Sequence, residues 1–589
     1  MNGISAMSTP LQSDRSMALV HEGWNHLKCQ RPLAAWGCWQ RALRADPLSA
    51  AASKALSALE SAHDLPMAAR TGYRFREAAD PVRRAAWNER MHGRDLENVE
   101  DAADVFGRLA ANQPSDSAAW FNRALCLAWV GKNVEAIGCL DRVVSLDAEH
   151  AHAWEQAVEA WTLAEVLRQG AGAEVLADDL RFACTLPWMP GDTPWLLDEF
   201  PAINRVPTPV APGAPPDKGA DIAVFEWLDT SEADPASSRR RVSAPPLVLA
   251  SVYISKQSLR LSSPRLENLE RIEETFFPRL ELAVGAIRRE ASPLPLPFLD
   301  ADVWIFRIPP DIDPEVADAL SREAVEQYFE NQWIHRPRHG LDDRSPLAAA
   351  RAASRGDTVA RAKLTAVVRL REQLGNRPSA LLLYQGYPFD RLRRRLGLEL
   401  FYASAVDLQD LACASEQELD RLDPTTLDDA RLVEAAASAA GFRDDARTSR
   451  LAAELLRRRP AALAALDLTS IVSSLVRRAL ARDDIDEAAS RLKEARSLAD
   501  GPTATTLDTW LAEVYARSGN PDLAMEIFLR LIESETTGAL RSLDAAETML
   551  DNGHLDHAKV LLRAATDRAR NENRKWIERR ATALLATLS

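Results

Sequence analysis

Asn88, Asn122 and Gln156 follow one another at a constant interval of 34 residues. An amide side chain offers one acceptor oxygen and two N–H donors. A row of amides can therefore hold an extended peptide by its main-chain N–H and C=O groups without reading its side chains. Selection would fall to their sequence neighbours, Trp87, Phe121 and Glu155. These six residues form the expected partner-binding groove. Other chemistry is poorly supplied. The chain has no GxxxxGK[ST] loop, no GxGxxG after a strand, no GxSxG elbow and no HExxH pair. His335 and His339 are spaced to share a helix face for a metal, but Pro337 between them breaks that helix. His150 with His152 and His554 with His557 are expected at turns or on the surface. Acidic pairs such as Asp342–Asp343 and Asp483–Asp484 are expected in loops and at helix starts, where carboxylates favour the dipole. No catalytic residue, metal ligand or cofactor is expected.

The elements that would position the groove recur with the same period. Pro47, Pro81 and Pro114 lie 34 and 33 residues apart, and Ala148 falls 34 beyond Pro114. Upstream of each mark stands a small residue followed four places later by a large one: Ala35 and Trp39, Ala69 and Tyr73, Ala102 and Phe106, Ala136 and Leu140. A small residue where helices cross, a large one a turn later and a breaker closing each unit resemble the tetratricopeptide repeat, whose helix pairs stack into a superhelix. In that family the first helix of each pair lines the concave face. The amide row is similar to the asparagine ladder of the protein O-linked N-acetylglucosamine transferase superhelix, which grips peptide backbone. The family's chaperone-binding carboxylate clamp fits poorly, because its slots hold Val20, Trp24, Ala118, Asn122, His152 and Gln156 without the required cations.

The expected fold is mostly α, with two solenoid arrays flanking a small α+β domain. Residues 1–16 read as a disordered leader and 17–187 as the N-terminal array, its fifth, degenerate unit running from Trp154 through Leu176 and Phe182 to Pro187. Residues 188–219 are a proline-rich, semi-rigid linker. Residues 220–400 form the α+β module, with strands around Ile222–Val224, Val248–Ile254, Leu259–Leu261 and Val303–Ile308. Within it, Ser345-Pro346 opens an Ala-rich helix expected to run unbroken to about Leu374. Its segment from Trp333 to Ala350 loosely resembles modules of uncharacterised bacterial proteins, and the resemblance implies no activity. Residues 401–430 connect to a second array at 431–589, where Leu511, Ala512, Tyr515, Gly519, Ala524 and Phe528 repeat the family pattern, and Gly553 and Ala558 follow at 34 residues.

Charge and composition narrow the function. A hydrophobic fraction of 46% with 27% charged residues describes a chain that folds. The net charge of −14 disfavours nucleic acid and anionic membranes as partners. The arginine runs at 239–241, 393–395 and 457–459 read as solvated faces or helix C-terminal turns. Six cysteines without CxxC spacing suit a reducing compartment, and no stretch of about 18 apolar residues is present. The chain reads as a cytoplasmic, non-catalytic scaffold or adaptor that binds peptides or proteins. The alternative is a regulatory role, antitoxin-like or linked to nucleic acid, or an enzymatic one, in the central module with the arrays as specificity arms.

Overall fold

A computed structural model describes residues 10–77, 99–169, 176–200, 202–205, 222–229, 247–280, 287–294, 307, 312–380, 386–402, 407–459, 468–534, 538–572 and 574–588. Two compact units emerge: Met1–Phe277 with Leu282–Phe389, and Pro278–Glu281 with Asp390–Ser589. No helix among the described residues is long and apolar enough to cross a membrane.

In the first unit, α1 (Pro10–Lys28) packs on α2 (Pro32–Ala45), and α3 (Ala50–Glu60) follows. The expected leader is thus helical from Pro10, and Ser16 is buried with its hydroxyl donating to the Ala42 carbonyl at 3.1 Å. Ala35, Trp39 and Ala42 share the buried face of α2, as small-then-large spacing on a helix requires. The second repeat departs from expectation. Ala69 lies in a single turn, α4 (Met67–Arg70), and Tyr73 stands in an extended segment, because Thr71-Gly72 ends the helix. Pro81 lies outside the described residues. Helices α5 (Val99–Asn112), α6 (Ser117–Trp129), α7 (Asn133–Asp147) and α8 (Trp154–Arg168) then pack in sequence, with Phe106, Ala136 and Leu140 buried.

The chain next leaves the helical array. The stretch from Leu180 to Pro187, read as the end of a fifth repeat, is the strand β1 (Leu180–Pro187). The alternating Leu180, Phe182, Cys184, Leu186 series suits a period of two, and β1 sits between two neighbours in a six-stranded antiparallel sheet. The other strands are β2 (Ile203–Arg205), β3 (Ala223–Leu228), β4 (Val248–Ile254), β5 (Ser258–Ser263) and β6 (Arg288–Pro293), in the order β2-β3-β4-β5-β1-β6. Part of the expected linker is therefore structured, with α9 (Thr193–Glu199) and β2 inside it, while residues 206–221 lie outside the described part. The expected strand at Val303–Ile308 lies almost wholly outside it too. Helix α10 (Leu266–Phe276) contacts β1, β4 and β5, and Phe276 meets Trp227 and Phe200 edge-on.

After α11 (Pro314–Gln327), the Ala-rich helix divides at Gly356 into α12 (Pro346–Ser354) and α13 (Thr358–Gly375). Gly356 takes a φ of +99°, and Asp357 caps α13 by accepting from the Ala360 N–H at 2.8 Å. Helix α13 packs along α8. The sheet is therefore inserted within a helical stack, between α8 and the helix beside it.

The second unit runs through α14 (Phe389–Arg395), α15 (Glu416–Arg421), α16 (Asp429–Gly441), α17 (Asp445–Arg458), α18 (Leu468–Leu480), α19 (Ile485–Arg496), α20 (Gly501–Arg517), α21 (Pro521–Ser534), α22 (Gly538–Asp551), α23 (Leu555–Asn571) and α24 (Lys575–Thr587). From α16 onward each helix packs on the next, and α16, α18, α20, α22 and α24 also contact along one side, the mark of a solenoid. One turn recurs throughout. The residue before the N-cap of a hairpin's second helix is left-handed at Gly131, Gly519 and Gly553, and equally at Gln30, Arg443 and Asp483. Glycine adopts that conformation without a Cβ clash.

The Arg393–Arg395 run forms the last turn of α14, as one of its two readings expected, but it is buried rather than solvated. Arg394 donates to Glu418 and to the carbonyls of Asp407, Leu408 and Asp410. Arg395 donates to the Ala414 and Ser438 carbonyls, 3.6 Å from the Phe442 ring centroid. Each guanidinium offers five donors, enough to satisfy irregular backbone that no helix hydrogen-bonds.

Candidate functional site

Helix α6 starts at Asp116, whose carboxylate accepts from the Ala119 N–H at 3.1 Å. That register turns Phe121 and Asn122 inward, and Asn122 is fully buried. Asn122 Oδ1 accepts from the Arg76 N–H at 2.7 Å, and its Nδ2 donates to the Arg76 carbonyl at 2.9 Å. One amide thus pairs with the N–H and C=O of one residue in an extended chain. The peptide it grips is this protein's own, residues 71–77.

Side chains of that segment fill the surroundings. Tyr73 meets Phe121 edge-on at 6.3 Å between ring centroids. Phe75 packs between Phe106 at 5.0 Å and Trp129 at 5.5 Å, and Trp129 stacks on Trp36. The Arg76 guanidinium lies 3.6 Å above the Phe121 centroid. Its Nη2 donates to the Gln156 carbonyl at 3.0 Å and to Glu159 at 3.1 Å, while Nη1 faces Asp147 Oδ2 at 3.5 Å. Burial pulls the Arg76 pKa down, against the opposing carboxylates of Glu159 and Asp147. Burial likewise raises Asp147, with Ser117 and Arg76 pulling the other way. The result is a cation-accepting corner built from two carboxylates, a carbonyl and a ring face.

The other expected groove residues divide. Trp87 and Asn88 lie outside the described residues. Gln156 contributes its main-chain carbonyl, and its side chain is exposed. Glu155 turns to α13, where its carboxylate takes both Nη atoms of Arg369 at 3.1 Å. Phe75, Arg76, Asp147 and Glu159 escaped the sequence reading, and Tyr73 entered it only as the large residue of a repeat. The alternation Tyr-Arg-Phe-Arg after Thr71-Gly72 was the available signal for an extended segment.

A second cluster seats the Trp333–Ala350 segment against α8. Asp179 receives Arg338 Nη2 at 2.7 Å and also Arg371, with all three side chains buried. Two guanidinium groups outweigh burial and hold the Asp179 carboxyl well below the usual range. The main-chain N–H groups of His339 and Gly340 donate to Asp178 at 2.5 and 3.3 Å, and Trp161 Nε1 donates to the Gly340 carbonyl at 2.7 Å. His335 ends one short turn and His339 begins another, on either side of Pro337. Here Glu165, which binds Arg168 at 2.9 Å, is pushed up to about 7, by burial before the opposing pull of Arg168. A raised carboxyl contributes stability in full below its ordinary value of 4.5 and loses it as pH rises through about 7. Glu165→Gln should therefore flatten the fall of melting temperature between about pH 5 and 7.5 relative to the parent. An identical slope in the two proteins would refute the assignment.

Glu22, His26 and Cys38 bring ligand-type atoms within 4.8 Å of one another. Burial, with a smaller push from Glu22, raises the Cys38 thiol to about 11. Cys38 thus sits protonated, as a small core side chain.

Residues 94–151 and 474–539 match the family model of the tetratricopeptide repeat. The chain carries tetratricopeptide repeats in both its N-terminal and C-terminal parts. No curated protein matches it. Solved structures similar to it include yeast Tom70, at 12% identity with 98% of this chain and 96% of that chain covered and a TM-score of 0.22. Another is Naa15/Naa10 bound to HypK-THB, at 10% identity, 98% and 79% coverage and a TM-score of 0.18. A circular tandem repeat protein aligns at 12% identity, 98% and 96% coverage and a TM-score of 0.14.

Proposed function

We propose that this tetratricopeptide-repeat protein is a non-catalytic, cytoplasmic interaction scaffold whose N-terminal repeats bind an extended peptide across α6 and α8. The observation that carries the reading is Asn122 pairing with the N–H and C=O of an extended residue, a contact that any peptide backbone can make. Six free cysteines, five of them buried, suit a reducing compartment. The C-terminal repeats supply a second surface for protein partners.

The exposed side chain of Gln156 lies beside the groove and carries no contact that the fold needs, so it can be exchanged for a photo-crosslinking residue. Glu135 is equally exposed on α7 and serves as the control. Irradiation in host extract is expected to give discrete protein adducts at position 156 and none at 135. Adducts at 135 alone, or at neither position, would overturn the groove reading.

A further inference from the structure

We propose that residues 71–77 are a built-in ligand of the groove, and that the external partner is an extended peptide of the same chemistry, an arginine directly preceded by an aromatic residue, with a second aromatic two places further back. The inference rests on the reading of α6 and α8 as a peptide-binding face, and it adds the class of peptide and the means of regulation.

Three observations specify the ligand. The corner that holds Arg76 combines Asp147, Glu159, the Gln156 carbonyl and the face of Phe121. It is acidic and planar on one side. A planar guanidinium satisfies such a site by stacking and hydrogen-bonding at once, whereas a lysine ammonium cannot do both in the same geometry. The slot between Phe106 and Trp129 takes an aromatic ring at the preceding residue, and Phe121 takes a second ring edge-on at Tyr73. Asn122 fixes the backbone register between them.

The present occupant does not satisfy the site completely. Arg76 Nη1 and Asp147 Oδ2 are buried without a hydrogen bond, facing each other at 3.5 Å. A free peptide can slide the few tenths of an ångström that close this pair. Residues 71–77 are held back by α4, whose Met67 carbonyl takes the Thr71 N–H at 3.0 Å. A tethered segment competes at a millimolar effective concentration, so it keeps weak ligands out and yields to better-fitting or multiply anchored ones.

The test uses the full chain and a fluorescent peptide, Thr-Gly-Tyr-Arg-Phe-Arg-Glu, copied from residues 71–77. Binding is measured to the parent, to the double variant Phe75→Ala/Arg76→Ala, and to the milder Arg76→Lys, with helicity checked by circular dichroism. Removing the tethered competitor should raise affinity at least about tenfold in the double variant and less in Arg76→Lys. Peptides carrying alanine for the Phe or the final Arg should not bind. A folded double variant that fails to bind the peptide overturns the proposal. So does loss of fold in both variants, which would make the segment part of the core. Should position 156 capture a partner while this peptide fails, the ligand class falls and the peptide-binding reading stands.

Discussion

Asp179→Ala is expected to destabilise the first unit by about 3–5 kcal/mol, the cost of breaking a buried ion pair by removing one partner. Arg338 and Arg371 would then lie together at 4% exposure with their shared carboxylate gone. For a unit this large the melting temperature should fall by roughly 4–6 °C. Asp179→Asn, which keeps an acceptor oxygen but not the charge, should cost less. Acid provides the same test without mutation. Because the folded-state carboxyl is depressed below its ordinary value of 3.8, its contribution is present above that pH and is lost as pH falls below it. A parent-like melting curve for Asp179→Ala would mean that the Trp333–Ala350 segment is seated by something else.

Trp39→Ala should cost a further order of about 3–5 kcal/mol, through lost burial and the cavity it leaves. The indole is fully buried, lies 5.0 Å from the Trp24 ring and donates Nε1 to the Val20 carbonyl at 3.2 Å. Gly23 sits against it where a Cβ would run into the ring, which is how α1 approaches α2 so closely. Repeat arrays hold their elements mainly through nearest neighbours, so the damage should stay local. Amide exchange in α1 and α2 is expected to rise steeply while α16 to α24 keep their protection. Uniform loss of protection, or none, would contradict the stacking described for these helices.

The sequence by itself determined the repeats, because a helix pair is a local object. Its small and large residues, its capping Asp or Ser and its left-handed turn fall within one period, so Ala136, Leu140, Gly519 and Ala524 could be placed without knowing their neighbours in space. It also put Phe121 and Asn122 next to each other on the first helix of their repeat, expected to line the concave face, since a position on a helix follows from a turn of 3.6 residues. It did not determine what meets that face. Arg76 reaches Asn122 through an extended stretch with no period to read, and only the packed structure makes Asn122 a buried residue rather than a wet one. Glu155 was assigned to the groove by its offset from Trp154, yet it pairs with Arg369 because α13 lies along α8. That neighbour arrives from far downstream, past an entire sheet. A contact between residues so far apart carries no local signature, and it forms because α8 has an apolar side that the chain's next segment, committed to strand by its alternation, leaves uncovered.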